Sequence, residues 1–298
     1  MPAASLQRVP EVDAVPHWTR VSLDDRVFAE LVRLVKENCG IALSDMKRTM
    51  LETRLRRRLM VNDIADFGAY AAFLRSDRGK REEMQFFVDA VVTNQTSFFR
   101  ELNHFEHLTP AELKRLAKEG NDGTLKIWSA ACSSGEEAWS LAMIADEASR
   151  GGTEFPWKIL ATDISIRILT AARDAIYTVE DVAAVPERLR QAYLMRSRDP
   201  DDRRVKVAPE LRRNVRFGQI NLMDADYRPG SGMDVIFCRN VLIYFEPDVQ
   251  LQVVAKLCRH LRPGGLLILG HSDTVRSKAL PLRLIRGNIY ERLREAPR

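Results

Sequence analysis

Cysteine is scarce: four in 298 residues, Cys39, Cys132, Cys238 and Cys258, with no two spaced as C-x-x-C. That excludes a disulfide framework and a cysteine zinc site, and it reads as reduced, packed thiols. No apolar run is long enough to cross a bilayer, and no basic-then-apolar segment opens the chain. The expectation is a cytoplasmic protein that does not insert into a membrane. Charge of one sign is also lacking, since 46 Lys+Arg face 41 Asp+Glu for a net +5, so local clustering matters more than the total. The five histidines show no metal-ligand spacing; His104 and His107 could share a helix face, with no third ligand near in sequence, and no metal is expected. A glycine-rich phosphate loop is missing too. The stretch "WSAACSSGEEAWS", residues 128–140, has the form of a strand, a turn and a helix, yet it carries one glycine and two glutamates. A phosphate cradle needs several glycines and no acid.

What is present divides into two rhythms. Residues 1–20, with three prolines and little periodicity, read as a flexible tail. Residues 21–93 carry helical period only. Ser22 is placed to cap a helix bearing Val27, Leu31, Leu34 and Val35, and Gly40 is placed to stop it. Ser44 opens a second helix with Leu51, Leu55 and Leu59 in a row, Asp66 a third, and "KREEMQFFVDAVVTN" is a fourth. Residues 94–124 read as a linker and the first helix of a second domain, 125–298. There the short apolar runs "LKIWSAA", "WKILATDIS", "VRFGQIN", "MDVIFCRNV" and "LLILGH" are mostly separated by helical segments near 136–150, 165–175 and 246–261. Apolar strands alternating with helices imply a mostly parallel sheet covered on both faces. "RPGG" is expected to turn the last helix into the fifth strand, and "LRLIRGNIYERL" to form a terminal antiparallel pair. Residues 176–213 break the alternation and read as a small inserted subdomain of helix and short strands. Within it "RVKVAPEL" alternates basic and apolar residues like an edge strand, which could add a peptide strand.

In an open parallel sheet, ligands bind beyond the carboxyl ends of the strands. The first strand ends at "SAACSSGEE". The second ends at Asp163, where an acid commonly takes the ribose hydroxyls of an adenosine ligand. An acidic loop would repel pyrophosphate but suits the cationic end of S-adenosylmethionine, which carries no phosphate. A structural alternative stands beside this one: Ser134-Gly135-Glu136-Glu137 also fits a capping box, with Glu137 merely closing the helix end.

Taken together, "TNQTSFFRE", "WSAACSSGEE", "ATDIS", "INLMD", "FCRNVLIYF" and "LRPGGLLILGHS" closely resemble the chemotaxis-receptor glutamate methyltransferases, the CheR family, in order and spacing over about residues 23–292. The resemblance implies a class I S-adenosylmethionine-dependent methyltransferase: a Rossmann-like α/β domain, an N-terminal all-helical domain and a small inserted β subdomain. It implies methyl transfer from S-adenosylmethionine to glutamate side chains in the cytoplasmic helices of methyl-accepting chemoreceptors, leaving S-adenosylhomocysteine, with no metal. Carried across motif by motif, the cofactor-contacting positions are Asn94, Thr96, Arg100, Glu137, Asp163, Asn221, Leu222, Arg239 and Asn240, with Arg100 and Tyr244 nearest the reacting methyl. The charged turn "RSRDPDD" lacks the glycines of members that dock on a receptor's C-terminal tether peptide, which leaves tether binding open. The protein is expected to act as a monomer.

Residue chemistry agrees with that implication. A carboxylate is already a nucleophile toward a sulfonium methyl, so no general base is required, only alignment. Arg100 suits the grip on such a carboxylate, because guanidinium is always charged and binds it in a fork; its structural alternative is a surface pair with Glu101. Asn221 could meet the adenine edge or could simply form a turn ahead of Asp224. Between residues 47 and 58 there are six basic residues and only Glu52 as an acid. Arg54, Arg57 and Arg58 stand at i, i+3 and i+4 on one helix face, with Arg56 roughly opposite Arg58. The family resemblance implies that this face meets the acidic methylation region of the receptor. Two rival readings are a nucleic-acid methyltransferase and a non-catalytic S-adenosylmethionine sensor. The first lacks its usual motifs, because no cysteine follows a proline and the fourth strand ends in Arg-Asn-Val-Leu rather than Asn/Asp-Pro-Pro-aromatic. No nucleic-acid partner is expected.

Overall fold

The computed structural model describes residues 21–120, 122–151, 154–199, 201–275 and 279–294. The tail expected over 1–20 lies outside them. The chain separates into two compact units, one of residues up to Leu34 together with Ser44–Val91, the other of Val35–Leu43 together with the chain from Val92 onward.

The first unit is all helical: α1 (Asp25–Cys39, whose last turn counts with the second unit), α2 (Arg48–Asn62), α3 (Phe67–Arg75), α4 (Asp77–Glu82) and α5 (Met84–Val91). Three sequence expectations change in detail. Asp24, not Ser22, caps α1, accepting from the Val27 amide at 2.9 Å. Ser44 starts a single 3-10 turn, Asp45–Lys47, before α2 begins. The fourth helix is two, α4 and α5, parted at Glu83, whose backbone departs from helical geometry at φ −119° and whose side chain is buried. Its carboxylate, 2% exposed, accepts from Arg58 Nε and Nη2 and from the Tyr70 hydroxyl, each at 2.7 Å. Asp66 caps α3 as expected, taking the Ala69 amide at 2.8 Å. Leu51, Leu55 and Leu59 are fully buried, as are Leu31, Phe67 and Phe87 of the same unit, which is what an i, i+4, i+8 apolar row does in an amphipathic helix.

The second unit adds α6 (Asn103–His107), α7 (Pro110–Glu119), β1 (Leu125–Ala130), α8 (Glu136–Arg150), β2 (Trp157–Asp163), α9 (Ile166–Asp174), β3 (Ile176–Thr178), α10 (Glu187–Tyr193), β4 (Leu194–Arg196), β5 (Arg204–Val207), α11 (Pro209–Arg212), β6 (Val215–Gln219), β7 (Met233–Cys238), α12 (Pro247–His260), β8 (Leu261–Leu269), β9 (Leu282–Arg286) and β10 (Ile289–Arg292). Seven strands form one sheet in the order β6-β2-β1-β7-β8-β10-β9, parallel except for the last hairpin. The chain runs outward from β1 through β2 to β6, then returns to place β7 on the other side of β1. The order therefore reverses between β1 and β7, the place beyond whose strand ends open parallel sheets bind their ligands. Apolar clusters cover both faces, one with Trp139, Phe237 and Phe105, the other with Trp128, Ile236 and Leu257. That explains why β7, "MDVIFC", is buried at every position. Its acid, Asp234, is tolerated because the Lys126 amide (2.7 Å) and Arg262 Nε (2.5 Å) hold it. All four cysteines are free and buried, and burial pushes the Cys39 thiol up to about 11.

"RPGG" lies inside β8 rather than before it. Gly264, at φ +77°, absorbs a register shift where Met233 faces Leu261 but Val235 already faces Leu266. The insert forms a three-stranded antiparallel sheet in the order β3-β5-β4. This corrects the edge-strand expectation for "RVKV": β5 is the central strand, with Val205 opposite both Tyr177 and Arg196. Its valines are buried, and an alternating strand paired on both sides has no ladder left to offer a peptide. The terminal pair β9–β10 forms as expected, turning at Gly287 and Asn288, both at positive φ.

Candidate functional site

The loop after β1 is built from left-handed residues: Ala131, Ser133 and Gly135 have φ of +68°, +51° and +97°. Only glycine suits the last of these. A Cβ there would stand 2.9 Å from Ala172 Cβ and 3.0 Å from the Tyr177 hydroxyl. The loop is closed from three sides. The Ser133 amide donates to Asp163 Oδ2 at 2.9 Å, while the Ser165 amide donates to Oδ1 at 3.0 Å. The Ser133 hydroxyl donates to the Asn94 carbonyl at 2.8 Å, and the Tyr177 hydroxyl donates to the Ser134 carbonyl at 2.7 Å. The segment around Asn94 and half-buried Thr96, which precedes the second unit's helices, is thereby brought to the ends of β1 and β2.

Glu137 does not close a capping box. The residue capping α8 is Gly135, and Ser134 donates to Glu136 Oε2 at 2.7 Å instead. Glu137 points back under the loop. Its Oε1 accepts from the Ser129 hydroxyl at 2.6 Å, and Oε2 lies 3.3 Å from Arg239 Nη1. Burial pushes its carboxyl above the usual range, with Arg239 and Ser129 working against that shift. Arg239, its side chain 2% exposed, also reaches Glu101 Oε2 at 3.1 Å and the Arg100 carbonyl. The Glu101 carboxylate is thus taken by Arg239 and by Asn240 Nδ2 (2.9 Å), not by its neighbour Arg100. Arg100, half-buried, donates from Nη1 to the Gln95 carbonyl at 2.9 Å, and its charge favours ionised Glu137.

Asn240 has φ +56°, and its amide donates to Asp273 Oδ2 at 2.5 Å. Asp273, 1% exposed, also takes the Ile243 and Gly270 amides at 3.1 and 3.0 Å. It therefore shapes the bend from Asn240 to the 3-10 turn Leu242–Tyr244. Asn221 makes a turn of its own, with Oδ1 accepting from the Met223 amide at 3.0 Å and Nδ2 donating to the Asn38 carbonyl at 2.6 Å. This is the turn-forming role the sequence allowed; Leu222 beside it is buried. The Ala42 amide donates to the Tyr244 carbonyl at 2.8 Å, so residues 35–43 brace both rims.

Asn94, Thr96, Arg100, Glu137, Asp163, Asn221, Leu222, Arg239, Asn240 and Tyr244 are therefore carried by segments at or beside the carboxyl ends of β1, β2, β6 and β7. Arg54, Arg57 and Arg58 belong to the first unit. Two of the three guanidinium groups on the face that the resemblance turns toward the receptor are taken up within the unit. Arg54 Nη1 donates to the Val91 carbonyl at 2.9 Å, and Arg58 is taken by Glu83. Arg56 is paired with Glu52, while Arg57 is exposed. Asp273, Glu101 and Ser129 were missed in the sequence. Asp273 had a signal, an acid just past the end of an apolar strand, whereas Glu101 looked like half of an Arg-Glu pair. His271 was missed as a neighbour of His104, because 167 positions of sequence separate rings whose centroids lie 4.9 Å apart.

The acceptor set fits an adenosine ligand with a cationic end, whose hydroxyls and ammonium are the donors. Each Asp163 oxygen can accept more than one hydrogen bond, and three carboxylates ring a loop with no glycine-rich phosphate cradle. Residues 94–290 match the family model described as "CheR methyltransferase, SAM binding domain", and residues 26–92 match "CheR methyltransferase, all-alpha domain". The chain is similar to the "Chemotaxis protein methyltransferase" of Escherichia coli, 38% identical over 85% of this chain and 86% of that one. It is similar to the Salmonella typhimurium protein of the same name at 37% over 85% of each chain. "Chemotaxis protein methyltransferase 2" of Pseudomonas aeruginosa is 36% identical over 92% of this chain and 94% of its own.

Proposed function

Because the chain belongs to the CheR methyltransferase family, we propose that it methylates glutamate side chains on the cytoplasmic helices of chemoreceptors, with S-adenosylmethionine as methyl donor. The observation that carries this reading is the meeting of Glu137, Asp163, Arg239 and the Arg100 turn at the reversal of the strand order, without a phosphate cradle. When bound, the cofactor supplies a methyl made electrophilic by its sulfonium. Asp163 would accept the ribose hydroxyls, Glu137 would meet the ammonium, and Asn221 and Leu222 would flank the adenine. Asn94, Thr96, Arg239 and Asn240 complete the contacts. Arg100 would hold the incoming glutamate in line while Tyr244 borders the reacting methyl. No residue is needed to remove a proton, because a glutamate carboxylate carries none at neutral pH. The product would be a methyl ester and S-adenosylhomocysteine. Incubating the protein with methyl-labelled cofactor and a receptor cytoplasmic fragment should transfer label that mild base releases; label that survives base rules out carboxyl methylation.

Asp163→Ala is expected to weaken S-adenosylmethionine binding at least tenfold, about 1.4 kcal/mol, read by titration calorimetry. Part of the loss is indirect, since Asp163 also anchors the Ser133 and Ser165 amides. Unchanged affinity in a folded variant would remove Asp163 from the cofactor site.

Substrate selection is assigned to the basic face of α2, now centred on exposed Arg57, because Arg54 and Arg58 spend their guanidinium groups inside the helical unit. Arg57→Ala should raise the apparent receptor KM about threefold and flatten its dependence on salt, since exposed charges act over a Debye length of roughly 8–10 Å. Cofactor affinity should not move. Arg56→Ala should do less, and equal effects from the two variants would make the face an ordinary solvated surface.

A further inference from the structure

Glu101 is absent from every role assigned so far, yet its carboxylate joins the Arg100 turn to segments past the ends of two strands. Its own backbone is left-handed, φ +57°, as is that of Phe99 at +52°. Outside glycine that region is sparsely populated and is held by surrounding contacts. The contacts here converge on one carboxylate whose side chain is 12% exposed. Oε1 accepts from Asn240 Nδ2 at 2.9 Å, just past the end of β7. Oε2 accepts from Arg239 Nη2 at 3.1 Å and from the His271 amide at 3.1 Å, the latter just past the end of β8. The same Arg239 nitrogen also binds the carbonyl of Arg100. Further support comes from the β9–β10 turn, where Asn288 Nδ2 donates to the Gly270 and His271 carbonyls at 2.7 and 3.1 Å.

We propose that Glu101 is a positioning residue for methyl transfer, a clamp that fixes the left-handed turn bearing Arg100 to the ends of β7 and β8. The proposal rests on the methyltransferase reading above and deepens it. Arg100 is half-buried and its guanidinium has one hydrogen bond to its own segment, from Nη1 to Gln95. The Phe99 amide before it donates to Ser140 Oγ on α8 at 3.0 Å, and the Arg239–Glu101–Asn240 set ties the other side of the turn to the strand ends, so the aim of Arg100 depends in part on a carboxylate that need not touch substrate.

A different use of the same carboxylate must be weighed. Glu101, His104 and His271 have ligand atoms within 4.8 Å of one another. His104 is fully buried, with Nε2 3.1 Å from the Gly287 carbonyl and Nδ1, which lacks a hydrogen-bond partner, 3.4 Å from Glu101 Oε2. Two imidazoles and a carboxylate are a donor set for a divalent transition metal. Two features weigh against it. Oε2 already accepts two N–H groups, and the Arg239 guanidinium, 3.1 Å from that oxygen, would repel a second cation. The clamp accounts for the acceptors in use; the metal does not.

The test uses the full-length protein, methyl-labelled cofactor and a receptor cytoplasmic fragment. Glu101→Gln should lower kcat about tenfold, with receptor KM and cofactor Kd each within about threefold of wild type. Combined with Arg100→Lys it should be strongly non-additive, the double variant being no slower than Arg100→Lys alone by more than about twofold. A residue that merely stabilised the fold would add its loss in full. Should Glu101→Gln fail to fold, Glu101→Asp keeps the charge but withdraws it by one methylene, and it should show the same non-additivity. Additive losses, or an unchanged kcat, overturn the clamp. So does zinc bound at one per chain in wild type and lost in His104→Ala. If wild type itself places no base-labile methyl on the receptor, it is the functional reading that has failed; an active wild type with additive variants sinks the clamp alone.

Discussion

Arg100→Lys is expected to lower kcat on receptor about hundredfold, roughly 2.7 kcal/mol of transition-state stabilisation, while cofactor affinity, through the contact the resemblance gives Arg100, falls by less than about tenfold. Lysine keeps the charge but presents a point ammonium in place of a planar fork. The fork matters because one arm, Nη1, is already committed to the Gln95 carbonyl at 2.9 Å. In the proposed role, that anchor would leave the remaining N–H groups to meet a substrate carboxylate at a defined angle. A lysine has a single donor nitrogen, so to reach Gln95 and the substrate together it must bring both acceptors to one point and gives up the fork geometry. Alignment of oxygen, methyl and sulfur is the whole of the enzyme's task here, so misaiming should appear in turnover rather than in binding. Single-turnover rates with saturating cofactor separate the two. A near wild-type rate would reduce Arg100 to a turn-forming residue.

Glu83→Ala is expected to cost about 3 kcal/mol of unfolding free energy, the lower end of the range for breaking a buried ion pair by removing one partner. Glu83 is 2% exposed and is the shared acceptor of Arg58 and the Tyr70 hydroxyl. Its removal leaves Tyr70, fully buried, with an unmet hydroxyl. Burial and the Glu83 charge together push the pKa of that phenol well above its usual value, so it stays a donor at neutral pH. The cost lies at the lower end because the Arg58 side chain is 16% exposed and lies along exposed Phe86, which gives its charge a route to water. Denaturant midpoints measured on the whole chain would report the loss, and Tyr70→Phe should cost only about 1 kcal/mol, one hydrogen bond. A loss under about 1 kcal/mol for Glu83→Ala would mean that the pair is solvated. Arg58→Ala should also destabilise, so a raised receptor KM in that variant cannot be read as lost receptor contact until folding is checked.

Several features followed from the order of residues alone. The change from helical period to short apolar strands located the two rhythms, because burial on both faces of a parallel sheet demands near-continuous Val, Ile, Leu and Phe, as in "DVIFC". The strand ends followed, and with them the rim that holds Asp163, Arg239 and Asn240. Local chemistry was legible where it is local: Asp66 as a cap, Gly-Asn as a hairpin turn, Leu51, Leu55 and Leu59 as one buried row. What sequence could not decide was the partner of each charge. Glu137 fitted a capping box equally well until Ser129 and Arg239 claimed it, and Arg58 shared a helix face with Arg57 until Glu83, 25 positions on, neutralised it. "RVKV" alternates as an edge strand would, and only pairing on both sides made it central. Periodicity and capping act within about four residues along the chain, so sequence displays them. A salt bridge, a second ladder or the meeting of Glu101, His104 and His271 depends on which distant segments the fold brings together, and that choice was made by the tertiary structure.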